Sequence, residues 1–200
     1  MTITEKFIKF CTSGFGKRVL KREANYLFNE LKDSKRVLDV GCGIGSFEER
    51  LSQLNVTGLD NSEAMLEEAR KRSDKKFVLG NAEKLGFLDR LFDAVFYIAT
   101  LEFVDNYKKA IDESVRVLES KGKLVVMMLN SESEYFKAHM KKEDSYFRRV
   151  KHLNLQEIEG YISQFFSVDS EYFLGIKDQE IFDSTDPRFA SLYVIKGIRK

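Results

Sequence analysis

Five short apolar runs punctuate the first 130 residues, at 36–40, 56–60, 77–80, 92–98 and 122–129. Each is bounded by charged or glycine-containing stretches. Between them, apolar residues recur at helical spacing. Val19, Leu20, Tyr26, Leu27 and Leu31 do so across 16–32, and Phe47, Leu51 and Leu54 across 46–54. A further helix, capped by Asn61 or Ser62, runs to about Arg72, and Ala110, Ile111, Val115 and Leu118 mark another across 105–118. Runs with little polar alternation suit strands covered on both faces. Their alternation with amphipathic helices predicts βαβ units and a parallel sheet. Ser13-Gly14-Phe15-Gly16 reads as a flexible break before the first long helix.

After residue 130 the pattern changes. Residues 131–152 are polar, with Tyr135, Phe136, Tyr146 and Phe147 interleaved among lysines and arginines. Leu155, Ile158, Ile162 and Phe165 give one more helix; 166–174 and 190–198 read as two late strands joined by the polar stretch 175–188. Strands that follow each other without a helix between them pair antiparallel, here at the sheet edge. The expected organisation is a single domain over 1–200. It comprises a helical cap at 1–35, a ligand-binding core at 36–130, a lid at 131–152 and a closing helix with a strand pair at 153–200.

Composition narrows the classes. With 43% hydrophobic and 32% charged residues, the chain reads as a globular protein. Its net charge of +1 gives no global electrostatic case for nucleic acid or an anionic membrane. Cys11 and Cys42 form no CxxC pair, which makes a disulfide framework or a structural zinc site unexpected and suits a reducing cytoplasm. No run approaches the ~20 apolar residues of a membrane span, and the start carries no secretory apolar core. A cytoplasmic location follows as the expectation.

The densest chemistry lies at 37–45, Val-Leu-Asp-Val-Gly-Cys-Gly-Ile-Gly. An apolar strand carries an acid near its end and breaks into alternating glycines. Asp39 in such a setting costs free energy unless a partner donates to it, and a cationic or amine-bearing ligand is such a partner. Gly41, Gly43 and Gly45 let the backbone turn and approach a ligand. Open parallel sheets bind ligands at the carboxyl ends of their strands, and further groups fall there. Asp60 ends the second strand, where an acid can accept hydrogen bonds from a ribose diol. Asn81-Ala82-Glu83 follows the third and is placed to reach an adenine amine. Tyr97-Ile98-Ala99-Thr100 follows the fourth. The glycine pattern is GxGxG, with Ser46 where a dinucleotide fingerprint has its third glycine. The acid before the turn would also repel a pyrophosphate. A ligand with adenine, ribose and a positively charged amino-acid tail fits these groups together.

These motifs resemble a known family. From about Gly16 to Leu129 the chain is similar to the class I S-adenosylmethionine (SAM) dependent methyltransferases. It is most similar to the small type 11 group that includes ubiquinone- and menaquinone-biosynthesis-like enzymes. The resemblance implies a Rossmann-like α/β fold, a seven-stranded, mostly parallel sheet with an antiparallel edge strand. It implies SAM as cofactor, a small-molecule methyl acceptor and no metal. Asp39, Gly41, Cys42, Gly43 and Gly45 would hold the methionine portion, and Asp60 with Asn61 the ribose. Asn81, Ala82 and Glu83 would contact adenine, and Ile98 would join the cofactor contacts. Phe92 through Val104 would line the transfer site. The chain departs from the pattern in lacking a proline and a glycine near Lys121-Gly122, in having Gly86 for a proline, and in having Glu102-Phe103 where a histidine often stands.

Other readings accompany these. Asp60 could serve as a helix cap, Glu83 as a solvated acid at a helix start, and Cys42 is in the turn for its small size. Asp93 begins a strand and reads as structural. His139 and His152 read as ordinary surface histidines. Glu102 and Tyr97 stand nearest the chemistry, and Tyr97 could equally be a packing aromatic. No side chain is singled out as the catalytic base. Rival functions are a SAM-binding protein without transferase activity, an RNA methyltransferase and a nicotinamide-linked oxidoreductase.

Overall fold

The computed structural model describes residues 3–200; Met1 and Thr2, the first positions of the expected cap, lie outside it. Helices α1 (Ile3–Thr12) and α2 (Gly14–Leu31) precede β1 (Val37–Val40), α3 (Ser46–Arg50), β2 (Val56–Asp60), α4 (Glu63–Arg70) and β3 (Lys76–Leu79). There follow β4 (Phe92–Ile98), α5 (Tyr107–Val117), β5 (Leu118–Leu129), α6 (Glu134–Met140), a 3-10 turn at Tyr146–Arg149 and α7 (Leu155–Ile162). The chain closes with β6 (Phe166–Lys177), β7 (Glu180–Phe182) and β8 (Ala190–Arg199).

The sheet has eight strands in the order β3-β2-β1-β4-β5-β8-β6-β7. Pairing is parallel from β3 through to β5 and antiparallel from β5 onward. This corrects the expected strand count of seven. The extra strand, β7, lies within the polar stretch 175–188 and pairs with the end of β6 through Gly175↔Phe182. Its sequence is three residues long, too short to show a period. A hairpin lets the chain reverse there, with Asp178 and Gln179 at positive φ.

The central strands pack on both faces. Leu38, Val40, Val95, Tyr97, Leu124 and Val126 face one apolar cluster with α5 and α7; Val37, Ala94, Phe96, Val125 and Met127 face the other with α2 and α3. Side chains alternate across a strand, so a run apolar at every position is what two covered faces require. Each fully buried Leu, Ile or Phe contributes about 1.5–3 kcal/mol.

Two local expectations are revised. Ser13-Gly14-Phe15-Gly16 is no flexible break. Ser13 caps α2, its Oγ accepting the Gly16 N–H at 2.9 Å, and a Cβ on Gly16 would meet the Phe10 carbonyl oxygen at 1.9 Å. The glycine is there for the close α1–α2 corner. The helix expected over 46–54 stops at Arg50, and the following turn keeps Leu51 and Leu54 buried. Asp93 is structural, accepting the N–H groups of Lys35 and Arg36 at 2.7 and 2.9 Å at the entry to β1.

Candidate functional site

β1 delivers Asp39 to the carboxyl edge of the sheet with 1% of its surface exposed, and the glycine turn follows. Gly41, Gly43 and Gly45 have φ of 85°, 54° and 72°, the left-handed region that favours glycine. The neighbours differ from a simple ligand cradle. A Cβ on Gly41 would lie 2.3 Å from the Thr100 side chain, and one on Gly45 would lie 3.0 Å from both Ala69 and Phe77. These two glycines are required by protein packing as well as by φ. Gly43 instead fronts the N-terminal helix, with the Phe7 ring 3.0 Å from where its Cβ would be.

Asp60 ties the turn to the second strand end. One carboxylate oxygen accepts the Gly43 N–H and the other the Ser62 N–H, both at 2.9 Å. The α4 cap is Ser62, whose Oγ accepts the Met65 N–H; Asn61 lies beside it, exposed. Burial raises the Asp60 carboxyl above its usual range, opposed by hydrogen bonds from the Gly43, Ser62 and Asn61 backbone. A ribose would have to share oxygens that already order the turn, and a carboxylate has about four lone-pair sites to share.

The Asp39 carboxyl is not alone. Glu48, on α3, is fully buried, and neither of its oxygens nor Asp39 Oδ2 has a hydrogen-bond partner among the described residues. Burial, then the Glu48 charge and then Asp60, push Asp39 well above the usual carboxylate range. Burial likewise raises Glu48 to about 7. Two buried acids this close resist ionising together. Gly58, opposite Asp39 in the β1–β2 register, makes room for them: a Cβ there would lie 2.5 Å from Glu48 Oε1 and 2.8 Å from Cys42 Sγ. Cys42 is a buried packing group whose thiol is pushed up by burial and then by Glu48, which opposes any nucleophilic role. Sequence reasoning missed Glu48. The signal was present: an acid four residues after Ile44 and three before Leu51 falls on the apolar face.

The third strand end is organised from the far side. Asn81 is exposed, and its Oδ1 accepts the Glu83 N–H at 2.8 Å. Ala82 is buried. Glu83 is half-buried, and its Oε1 accepts the Asn106 N–H at 2.8 Å, joining this loop to the start of α5. Beyond it, Arg116 clamps the loop. Its guanidinium donates to the carbonyls of Leu85 and Phe87 at 2.8 Å each, and pairs with Glu113 and Asp89 at 2.7 Å each. Glu113 in turn accepts the Leu85 N–H at 2.6 Å.

At the fourth strand end Ile98 and Thr100 are half-buried, and Ala99 turns at φ 46°. Tyr97 leaves the site. It is fully buried, and its hydroxyl bonds to Ser114 Oγ at 2.6 Å and the Ala110 carbonyl at 3.1 Å. Glu102 stays at the edge. The structure thus brings Asp39, the glycines, Asp60, Ile98 and Glu102 to one carboxyl edge, with Asn81, Ala82 and Glu83 on its β3 flank.

Above this edge lies segment 131–152. His139 stacks on Phe147 with centroids 4.7 Å apart and lies 4.3 Å from Tyr135, so it belongs to an aromatic cluster. His152 Nε2 bonds to the Val104 carbonyl oxygen at 3.0 Å. Lys6 of α1 pairs with Asp144 at 2.7 Å, joining the N-terminal helix to this segment. An open cavity of about 590 Å³ lies where the two meet, between Phe10, Phe15 and Arg18 on one side and Tyr135, His139 and Lys142 on the other. Among the described residues no cluster of metal-capable side chains forms, and no helix is long and apolar enough to cross a membrane.

Comparisons with known proteins agree on this architecture. A family profile described as a methyltransferase domain matches residues 38–126. An uncharacterized protein of Methanocaldococcus jannaschii is 32% identical over 149 residues, covering 74% of this chain and 64% of its own length. The demethylmenaquinone methyltransferase of Thermotoga maritima is 38% identical over 100 residues, covering 48% of this chain and 44% of its own length. The chain therefore spans less than two thirds of either relative. Among solved structures, a SAM-dependent methyltransferase of Thermotoga maritima, described as a possible histamine N-methyltransferase, superposes with a TM-score of 0.79. It is 23% identical, with 98% of this chain and 96% of that one covered, a likeness of fold. Residues 38–126 thus match a methyltransferase domain, carried on a fold shared with a solved SAM-dependent methyltransferase.

Proposed function

We propose that this chain transfers a methyl group from SAM to a small-molecule acceptor. The observation that carries the reading is the unpartnered Asp39 Oδ2, buried directly before a left-handed glycine turn. An acid so placed is costly without a donor, and the ammonium of an amino-acid tail satisfies it. A cation there also favours the ionised carboxylate and offsets the upward push of burial and Glu48. In this reading Gly41, Cys42, Gly43 and Gly45 shape the backbone around the tail. Asp60 and Asn61 hold the ribose, and Asn81, Ala82, Glu83 and Ile98 frame the adenine side. Gly43 is the glycine whose open face a ligand would use, with Phe7 giving way.

SAM brings the methyl group already activated on a sulfonium, so the chain's task is placement. Aligning acceptor, methyl carbon and sulfur can supply ~7–11 kcal/mol of the barrier. Segment 131–152 with α1 is the lid that excludes water, held partly by Lys6–Asp144. A net charge of +1 supports a small acceptor over RNA, and the absence of a third fingerprint glycine speaks against a nicotinamide cofactor. A cytoplasmic setting accords with two unpaired, buried cysteines.

Calorimetric titration with SAM, followed by measurement of S-adenosylhomocysteine formation across a metabolite panel, tests the reading. Micromolar binding with product formation is expected. Binding without product from any acceptor would favour a SAM-binding protein that acts through a partner. No binding of SAM, with tight binding of a nicotinamide dinucleotide, would overturn the proposal.

A further inference from the structure

Glu102 stands four residues past β4, on the carboxyl edge, 1% exposed. Its two oxygens differ. Oε1 accepts the N–H of Leu129, the last residue of β5, at 2.9 Å. Oε2 is buried with no hydrogen-bond partner among the described residues. The residue is also where the lid is fastened. Its carbonyl accepts the N–H groups of Lys151 and His152 at 2.9 and 3.2 Å. The ring of the next residue, Phe103, lies 4.6 Å from that of Tyr146 in the lid. Tyr146 is 38% exposed. Burial raises that phenol, the Glu102 charge adds to the rise, Arg149 opposes it and Asp60 contributes least. Tyr146 is therefore within electrostatic reach of both Glu102 and the Asp60 that ties the glycine turn.

An anchored carboxyl with one buried, unused oxygen is costly, and such costs concentrate where a ligand later supplies the partner. We propose that Glu102 Oε2 is the group that receives the methyl acceptor, and that the acceptor is an amine whose N–H it accepts. This rests on the methyltransferase reading above. The class follows from charge. An ionised carboxylate only accepts hydrogen bonds. Asp39, Glu48, Asp60 and Glu102 gather on one edge, and among the described residues no lysine or arginine side chain hydrogen-bonds to or ion-pairs with any of them. An anionic acceptor is repelled there, whereas an amine that has shed its extra proton to solvent before binding enters as the free base and donates an N–H to Oε2. In the transfer itself the nitrogen lone pair forms the N–C bond while the C–S pair stays on sulfur as a thioether. The nitrogen is left cationic, and its N–H proton passes to Glu102 Oε2. The carboxylate becomes a carboxylic acid and the product leaves neutral.

The test uses the full chain, wild type and Glu102→Gln, saturated with S-adenosylhomocysteine and titrated calorimetrically with benzylamine, phenol and benzoate. The wild type is expected to bind benzylamine at least tenfold more tightly than phenol and to bind benzoate immeasurably weakly. Glu102→Gln keeps the Leu129 bond and its affinity for S-adenosylhomocysteine within threefold, but loses the amine preference. Glu102→Asp, which keeps the charge and withdraws the oxygen, retains the order of preference with benzylamine weakened at least tenfold. A wild type that binds the three probes alike or binds none, a preference that survives in Glu102→Gln, or full benzylamine affinity in Glu102→Asp each overturns the Glu102 assignment while leaving the cofactor reading standing. A wild type that binds no S-adenosylhomocysteine overturns both.

Discussion

The parallel and antiparallel halves of the sheet solve different problems with the same strand geometry. From β3 to β5 the strands run the same way, so their carboxyl ends converge and bring Asp39, Asp60, Ile98 and Glu102 to one edge. From β5 to β7 the strands alternate in direction, and no such convergence arises. There the polar groups serve one another: Tyr193 donates to Glu159 at 2.5 Å, and Lys196 pairs with Asp169 and Glu171 at 3.0 and 3.2 Å. The parallel half leaves buried oxygens of Asp39, Glu48 and Glu102 unpartnered, while no such atom falls on β6, β7 or β8 among the described residues. A fold can tolerate an unsatisfied acid where a ligand completes it, and the difference between the halves marks where that place is.

The largest effect expected from breaking this contrast is at the turn. Gly41→Val forces a branched side chain into a left-handed residue against Thr100, at a cost of at least about 3 kcal/mol. The melting temperature should fall by roughly 6–12 °C, with SAM binding lost. Retention of wild-type melting would show that the turn relaxes freely. Next is Asp60→Ala, which removes the acceptor for the Gly43 and Ser62 N–H groups and the proposed ribose contact. SAM affinity should drop more than tenfold by calorimetry, with a loss of about 1–3 kcal/mol in denaturant unfolding. An unchanged affinity would remove Asp60 from the ribose site.

A pH series sharpens the contrast further. Burial raises Glu23, Glu48 and Glu102 to about 7 each, so the folded state binds protons more tightly than the unfolded chain. Their contribution to stability is fully present below the unfolded carboxylate range and is lost as pH rises through about 7. The melting temperature should therefore fall by several degrees between pH 5 and pH 8, by differential scanning fluorimetry. Glu23→Gln, on α2, should remove part of that fall while leaving SAM affinity within twofold. A flat profile in the wild type would mean that these acids are already ionised. The smallest effect is at Lys6→Ala. The Lys6–Asp144 pair is largely exposed at Asp144, where solvent screens it, so it contributes little. Stability should barely move, and faster SAM exchange in stopped flow would mark the pair as part of the lid.

The same contrast explains what could be read from the chain. Strands 56–60 and 92–98 are legible to the residue because they are short, largely buried runs whose ends are set by acids or turns. The glycine turn and the acidic strand ends are legible because their chemistry is local. What each acid touches is not local. That Asp60 is already engaged by Gly43 and Ser62, that Gly41 is held by Thr100, or that Tyr97 turns inward to Ser114 depends on partners brought together by the sheet. Glu48 hides because an acid in a short helix looks solvated until Gly58 opens the space beneath β2. β7 and segment 131–152 were least legible, since short polar stretches with scattered aromatics carry no period.

The Arg116 clamp has a consequence for the order in which a ligand settles. Four anchors fix the loop after β3 before anything binds: the carbonyls of Leu85 and Phe87, and the carboxylates of Asp89 and Glu113. In the proposed site the adenine side is thus tied down in advance and loses little further freedom, whereas on the opposite side the Phe7 ring stands against Gly43 and has to give way to a ligand. Docking that starts at the rigid end and finishes at the covered one turns a single encounter into a sequence. Its last step is unimolecular and sets a ceiling that more ligand cannot raise.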